Sequence, residues 1–381
     1  MELGHRGACD HQLRIMRKRS RPRSFVRCCF QRSRPYGSRE QESIQQQESN
    51  VLINQQSALA QQAKSQFTLD AQQAAIEWKR TTDSIPDIAR VDAPYIRDGK
   101  PQGSYAVCLP PEQATFNLLP DIRTSVLELF SAEHIHWHAA IDAGPTNHLL
   151  SSQVQCVNAL APGILDAEFV HAAFASVLPI EEVLEVEPGR FLTFEYIGAH
   201  DYLHERVGMT RNRGTMTTSA DAAIKYRSNE GDIELALIEW KYTEDYRGVS
   251  LTRPRGVSRE DRYRFLWDDP NNPLRRDVIP YEDMFVEPFY QLMRQQLLAW
   301  SIERDVTSQF DVARVVHICP KQNVGVHGAL NRDAHRAAGD DVLAIWAEVC
   351  AKFDRFISLD NDHFLQPGLR TEDYATRYLV R

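Results

Sequence analysis

The run Asp221-Ala222-Ala223-Ile224-Lys225-Tyr226-Arg227, the linker Ser228-Asn229-Glu230-Gly231-Asp232 and the run Ile233-Glu234-Leu235-Ala236-Leu237-Ile238-Glu239-Trp240-Lys241-Tyr242 decide the fold. The outer runs read as strands and the linker, with Asn, Gly and Asp, as the turn of a hairpin. Successive strand residues point to opposite faces. Ile233, Leu235 and Leu237 therefore share one face, and Ala236, Ile238 and Trp240 the other. A strand that is apolar on both faces belongs in the middle of a sheet covered on both sides, as in α/β folds.

The polar residues of this hairpin collect at its open end. With the turn centred near Glu230, Asp221 and Glu239 are equidistant from the centre and become cross-strand neighbours, with Cβ atoms about 5 Å apart. Lys241, two residues beyond Glu239, points to the same face. Two ionised carboxylates brought together in a buried place repel, and a divalent cation resolves the repulsion. Asp221 and Glu239 are thus expected to hold Mg²⁺, with a main-chain carbonyl near Trp240 as a third ligand. Lys241 would orient or help to deprotonate the attacking water, or balance charge developing on a phosphate. The same spacing also fits a hairpin end closed by an Asp/Glu/Lys ion cluster, and a slip of one residue would send Asp221 to the other face. Asp232 is excluded as a ligand, because seven residues of strand put it about 23 Å from Glu239.

Working outward, a helix is expected from Asp70 to Lys79, followed by a turn-rich stretch over 92–120 and a helix over 121–131. Helices follow at about 148–160 and 166–177, then a strand over Arg190–Tyr196. After the hairpin come a long connection (247–281), a helix from Glu287 to Arg304, a short buried strand from Ala313 to Cys319, and more helix near 333–357. That order predicts an α/β fold with a mixed central sheet flanked by helices. Residues 1–75 are expected to be a disordered extension, basic and then Gln-rich, ahead of a single domain over 76–381 whose core spans about 145–330.

Of the 381 residues, 43% are hydrophobic and 25% charged, the composition of a globular chain. No apolar run approaches the length of a membrane span, and no apolar segment follows the basic start as in a secretory signal. The seven cysteines form no Cys-x-x-Cys pair, which suits a reduced, cytoplasmic protein; Cys156 and Cys319 read as core residues. The net charge of −8 conceals a basic start: residues 1–39 carry 11 Lys/Arg against 2 Asp/Glu. Arg17-Lys18-Arg19-Ser20-Arg21-Pro22-Arg23 reads either as a nucleic-acid-binding arm or as a solvated tail. No phosphate-binding loop or dinucleotide fingerprint supports an ATP- or nicotinamide-dependent activity.

Asp221 with Ile238-Glu239-Trp240-Lys241 resembles the D…(D/E)-x-K motif of the PD-(D/E)xK nuclease superfamily. More narrowly, three segments resemble the bacterial restriction-endonuclease-like family of that superfamily. They are His148-Leu149-Leu150-Ser151-Ser152-Gln153-Val154-Gln155-Cys156-Val157-Asn158, Thr218-Ser219-Ala220-Asp221-Ala222-Ala223-Ile224 and Ile238-Glu239-Trp240-Lys241-Tyr242-Thr243-Glu244. The resemblance covers about 130–340 and departs from the motif at Ala220, where proline often stands. It implies a restriction-endonuclease-like core of helix, three strands, helix and strand. It also implies a Mg²⁺-dependent endonuclease, with Mn²⁺ able to substitute, that hydrolyses DNA phosphodiester bonds through Asp221, Glu239 and Lys241. By analogy with two-strand cutting, a homodimer is compatible with it.

The resemblance further suggests a helix-borne glutamate completing the metal shell. Of Glu195 and Glu205, Glu205 in Tyr202-Leu203-His204-Glu205-Arg206 is the better helical candidate. A glutamine from the helix after the Glu-x-Lys strand is also implied, either Gln295 or Gln296. Gln153 and Asn158 either meet the active centre or DNA, or bond neighbouring backbone. His134, His136 and His138 would share one face of a strand; core packing or substrate contact suits them better than zinc, since no further ligand set completes a site. The eight arginines of 247–281 either embrace a phosphate backbone or pair within a solvated loop. The main alternative to the nuclease is a catalytically idle nucleic-acid-binding protein on a nuclease-like fold, and a weaker one is a zinc hydrolase.

Overall fold

A computed structural model describes residues 65–97, 99–248 and 258–380. The basic segment, most of the Gln-rich tract, Cys9, Cys28, Cys29, Arg253 and Arg255 lie outside the described residues. The chain begins with helix α1 (Gln66–Thr81), a hairpin of β1 (Ala93–Arg97) and β2 (Lys100–Tyr105), and helices α2 (Pro120–Ala132), α3 (Ser152–Leu160) and α4 (Ala167–Phe174). Then come β3 (Ile180–Leu184), β4 (Leu192–Tyr196), β5 (Ala220–Ser228), β6 (Ile233–Trp240), α5 (Arg259–Trp267), α6 (Phe289–Arg304) and β7 (Val312–Ile318). The short helices α7 (Val324–His327) and α8 (Asp333–Ala338), then α9 (Val342–Val349), β8 (Phe356–Leu359) and α10 (Glu372–Tyr378) complete it.

Strands β3 to β8 form a six-stranded sheet in the order β3-β5-β6-β7-β8, with β4 also paired to β5. The pairs on the β5 side are antiparallel, whereas β6–β7 and β7–β8 are parallel. The mixed sheet is thus as expected. The alternation of β6 is realised residue by residue. Ala236, Ile238 and Trp240 enter one core with Val154 and Val157 of α3, and Leu235 and Leu237 enter a second core with Leu292, Leu297 and Leu298 of α6.

Several expectations need correction. Helix α1 starts inside the Gln-rich tract, ahead of the 75/76 boundary. Ser65 caps it by accepting from Thr68 N at 3.1 Å, and Phe67, Ala71, Ala75 and Trp78 form a buried stripe at helical spacing within the Gln-rich composition. Trp78 Nε1 donates to Asp373 of α10 at 2.9 Å, which ties the first and last helices together. The turn-rich stretch over 92–120 contains the β1–β2 hairpin; its second strand is exposed throughout, so it carries no alternating pattern to read. Strand β3, at the sheet edge, and the four-residue β8 were likewise not anticipated. The described part of the 247–281 connection contains α5, capped by Ser258.

Candidate active site

The register of the central hairpin places the carboxylates. Ala222 pairs with Ile238, Ala223 with Leu237 and Arg227 with Ile233. One further step of the same register sets Asp221 opposite Glu239, as symmetry about Glu230 requires. On the other side of β5, Phe194 pairs with Ala222 and Tyr196 with Ala220, so Glu195 lies opposite Asp221. In the parallel pair, Glu239 aligns with His317. Glu195, Asp221, Glu239 and His317 therefore form one row across four strands. Asp221, Glu239 and Glu195 line a cleft of about 360 Å³ together with Lys241, Gln153, Ser219, Glu244, Tyr246, Arg294 and Gln295.

Each carboxylate is held. Asp221 Oδ2 accepts from Trp240 N at 2.6 Å. Glu239 Oε1 pairs with the Lys241 ammonium, and its Oε2 accepts from Gln295 Nε2 at 2.6 Å. The same Gln295 amide donates to Ser219 O at 2.7 Å, bridging α6 to the start of β5. Glu195 accepts from Gln153 Nε2 at 2.7 Å and from Ser219 Oγ at 2.6 Å. Its backbone is left-handed, with φ +50°, a conformation that costs a non-glycine residue energy and clusters at functional sites. Arg213 supports this turn of chain by donating to Phe194 O at 3.0 Å. Gly214 lets the side chain through: a Cβ there would meet His136 O at 2.8 Å and Glu195 Cδ at 3.2 Å.

The electrostatics follow from crowding. Burial, then the neighbouring Glu239 charge, pushes Asp221 well above the ordinary carboxylate range, against the pull of Lys241. Burial likewise raises Glu195, opposed by its bonds from Ser219 and Gln153. Burial works against the Lys241 ammonium, but Glu239, Tyr246, Asp221 and Glu244 outweigh it and hold the group charged far above its usual range. His317 is kept neutral by burial and by the Lys241 charge beside it. The cleft thus carries four carboxylates (Glu195, Asp221, Glu239 and Glu244) against the two cations Lys241 and Arg294.

The other predicted residues separate. Gln295 reaches the cleft; Gln296, one residue on, turns away and accepts from Cys350 Sγ at 3.5 Å, because a step of 100° on a helix sends neighbours to different faces. Glu205 lies in a run of turns, not on a helix. It accepts from Thr218 Oγ1 and Tyr263 OH, both at 2.7 Å, so it braces the segment before Asp221 and does not line the cleft. Glu195, set aside in its favour, is the carboxylate that lines it. Gln153 does reach the centre, and it also accepts from His138 N at 2.8 Å. Asn158 bonds Leu119 N, Asn117 O and Tyr378 OH and is structural. His134, His136 and His138 lie in a turn and loop rather than a strand; they are exposed and alternate with buried Ile135 and Trp137, so they do not pack the core. Among the described residues, no three His, Cys, Asp or Glu side chains form a ready-made metal cage. The described arginines of 247–281 mostly have local partners, such as Asp245 for Arg247, Asp277 for Arg275 and the Tyr281 ring for Arg264.

Residues 63–379 match the family described as restriction endonuclease associating with ARP. The chain belongs to that family. Membership makes its function nuclease-like, and the family's span takes in every element from α1 to α10. No match was found among the curated proteins or the solved structures. No described helix is long and apolar enough to cross a membrane.

Proposed function

We propose that this member of the restriction-endonuclease family is a Mg²⁺-dependent endodeoxyribonuclease of the PD-(D/E)xK type, hydrolysing DNA phosphodiester bonds at Asp221, Glu239 and Lys241. The single observation that carries the reading is the carboxylate pair that Lys241 alone only partly balances: Asp221 and Glu239 face each other across adjacent strands, and burial and mutual repulsion lift Asp221 above its ordinary range. Such a site favours a cation, and Mg²⁺ is commonly held by one or two carboxylates with its remaining positions filled by water and substrate oxygens. The donor set therefore fits Mg²⁺, with Mn²⁺ as a substitute, and the all-oxygen chemistry does not suit zinc.

Asp221 and Glu239 would hold the ion. Bound there, it would polarise the phosphoryl group and offset the charge that develops on it. Lys241, charged and anchored by Glu239, stands where it can orient the attacking water and stabilise the phosphate as negative charge builds. Gln295 fixes the Glu239 carboxylate from behind, and Gln153 and Ser219 fix Glu195. These second contacts fix the orientation of both carboxylates. Arg294 lines the cleft wall as a second cation, 22% exposed and held by Glu205 at 3.8 Å and Thr218 Oγ1 at 3.0 Å, where a substrate backbone could meet it. A chain with one such centre cuts one strand per event, so double-strand scission calls for two copies.

Incubation of the purified chain with supercoiled plasmid and single-stranded oligonucleotides in Mg²⁺, Mn²⁺ or EDTA tests the reading. It predicts cleavage of DNA with either metal and none in EDTA. Binding in EDTA without cleavage of any DNA or RNA substrate in Mg²⁺ or Mn²⁺ would establish the idle binding protein instead.

A further inference from the structure

A second cleft, of about 310 Å³, opens beside the first. The two share His138, Ser151, Ser152 and Glu244 in their linings, so they form one continuous groove. Their chemistry differs. Among the described residues, the first is lined by four carboxylates and two cations; the second is lined by Glu244 as its one carboxylate and by no lysine or arginine, with Tyr95, His148 and the hydroxyls of Thr146 and Thr243 in its walls. The described lining offers a phosphate no lysine or arginine. A flat, uncharged group with hydrogen-bonding edges does have partners.

The aromatic wall is built rigidly. Asn147 is fully buried and bonds the chain on either side of Tyr95: its Nδ2 donates to Pro94 O at 2.7 Å, and its Oδ1 accepts from Ile96 N at 3.5 Å. The next residue, His148, meets the Tyr95 ring edge-on at 5.3 Å between centroids. His148 Nδ1 accepts from Leu150 N at 3.2 Å, which fixes the orientation of the ring. A tyrosine ring held this way is displayed at low entropic cost, as a stacking platform requires. In the same lining, Glu244 Oε2 accepts from Tyr242 N at 2.6 Å. Buried Asn323 fixes its backbone by donating to Tyr242 O at 2.8 Å and Glu244 O at 3.1 Å. A carboxylate so placed accepts from an exocyclic amino group, the feature by which cytosine, adenine and guanine differ from thymine.

We propose that this second cleft is a nucleobase site: it receives, unstacked, the base adjoining the phosphate at Glu239 and Lys241, with Tyr95 against its face and Glu244 accepting from its amino group. The proposal rests on the nuclease reading for the position of the phosphate. It makes Tyr95 and Glu244 specificity-determining, and it favours substrates whose base leaves the stack easily: single strands, mismatches or flexible steps.

The test is binding of the full chain, in EDTA so that nothing is cut, to single-stranded oligonucleotides carrying 2-aminopurine at successive positions. Wild type should change the fluorescence at one position. Tyr95→Ala should weaken binding about 5- to 150-fold, the loss expected of one stacked base, whereas Tyr95→Phe should bind as wild type. An oligonucleotide abasic at the responding position should bind wild type and Tyr95→Ala alike, which separates stacking from misfolding. Glu244→Gln should erase the preference for cytosine over thymine there. Equal losses on intact and abasic strands, no responding position, or no binding would overturn the proposal. The two readings fail separately: a Tyr95-dependent response without cleavage in Mg²⁺ ends the nuclease reading alone, and cleavage without such a response ends the base site alone.

Discussion

The two ends of the β5–β6 hairpin bury charge in opposite ways. At the turn end, Glu234 is 2% exposed, and its carboxylate takes Arg314 Nε at 2.6 Å, Arg314 Nη2 at 2.9 Å and the Tyr226 hydroxyl at 2.6 Å. The fork is bidentate, and one buried negative charge meets one positive charge. Arg314 also donates to Asp354 O at 2.7 Å, tying β7 to the segment before β8. At the open end, Glu239 has its lysine, but Asp221 and Glu195 beside it have no cation of their own. Both ends occur on the same pair of strands with the same register, so the sheet does not explain the difference. A buried charge cluster that balances locks structure; one that does not balance keeps an affinity for something outside the chain.

The comparison can be broken from either side. The largest effect is expected at the turn end. Arg314→Met should cost about 3–5 kcal/mol by stranding Glu234, measured as a fall in the denaturant midpoint, and adding Glu234→Gln should recover much of it. At the open end, Lys241→Ala strands buried Glu239 and should also lower stability, less in Mg²⁺ than in EDTA, while lowering single-turnover cleavage of the folded protein by about 10²- to 10³-fold, the usual cost of removing a group that meets transition-state charge. A third variant pair sharpens the account of what surrounds the carboxylates. Gln295→Ala should weaken apparent Mg²⁺ affinity about tenfold or more, in line with the loss of a partner to a ligand. Gln296→Ala, facing the other way, should change neither affinity nor cleavage.

The smallest effect concerns pH. Asp221 and Glu195 have folded-state pKa values raised above those of the unfolded chain. Their contribution is therefore most favourable below the unfolded carboxylate range, about pH 4, and is lost as pH rises through the raised values. In EDTA, wild type should lose stability over that rise while Asp221→Asn gains about 1 kcal/mol on it. Added Mg²⁺ should raise the wild-type melting temperature more at higher pH, as metal displaces protons, and should leave Asp221→Asn nearly unmoved.

How much of this was legible in the sequence depended on the range of the signal. The hairpin was legible because its pattern is local: alternating apolar residues, one turn and a two-residue Glu-x-Lys spacing put Glu239 and Lys241 on one face, while the register that brings Asp221 opposite Glu239 rested on symmetry about Glu230 and comes from the strand pairing. Gln295 and Gln296 were not separable because both occupy a helix buried on several sides; only the contacts of Ser219 and Cys350 distinguish them. Glu195 is less legible than Glu205 because its approach depends on a left-handed backbone and on Gly214, nineteen residues away, a separation that is no guide to contact. Strand β2 is exposed along its length and β8 has four residues, so neither offered a periodic pattern. The body of helix α1 was legible over Asp70–Lys79, but its first turn, with Phe67 of the buried stripe and the Ser65 cap, lies within a glutamine-rich composition that hides it.

The central claim is that the unbalanced end is a metal-dependent nuclease centre, and plasmid cleavage by Glu239→Ala in Mg²⁺ tests it most directly, with Glu239→Gln as the near-isosteric companion. The account predicts that wild type nicks or linearises the plasmid in Mg²⁺ but not in EDTA, and that both variants remain folded and leave it intact. Robust Mg²⁺-dependent cleavage by folded Glu239→Ala would contradict it.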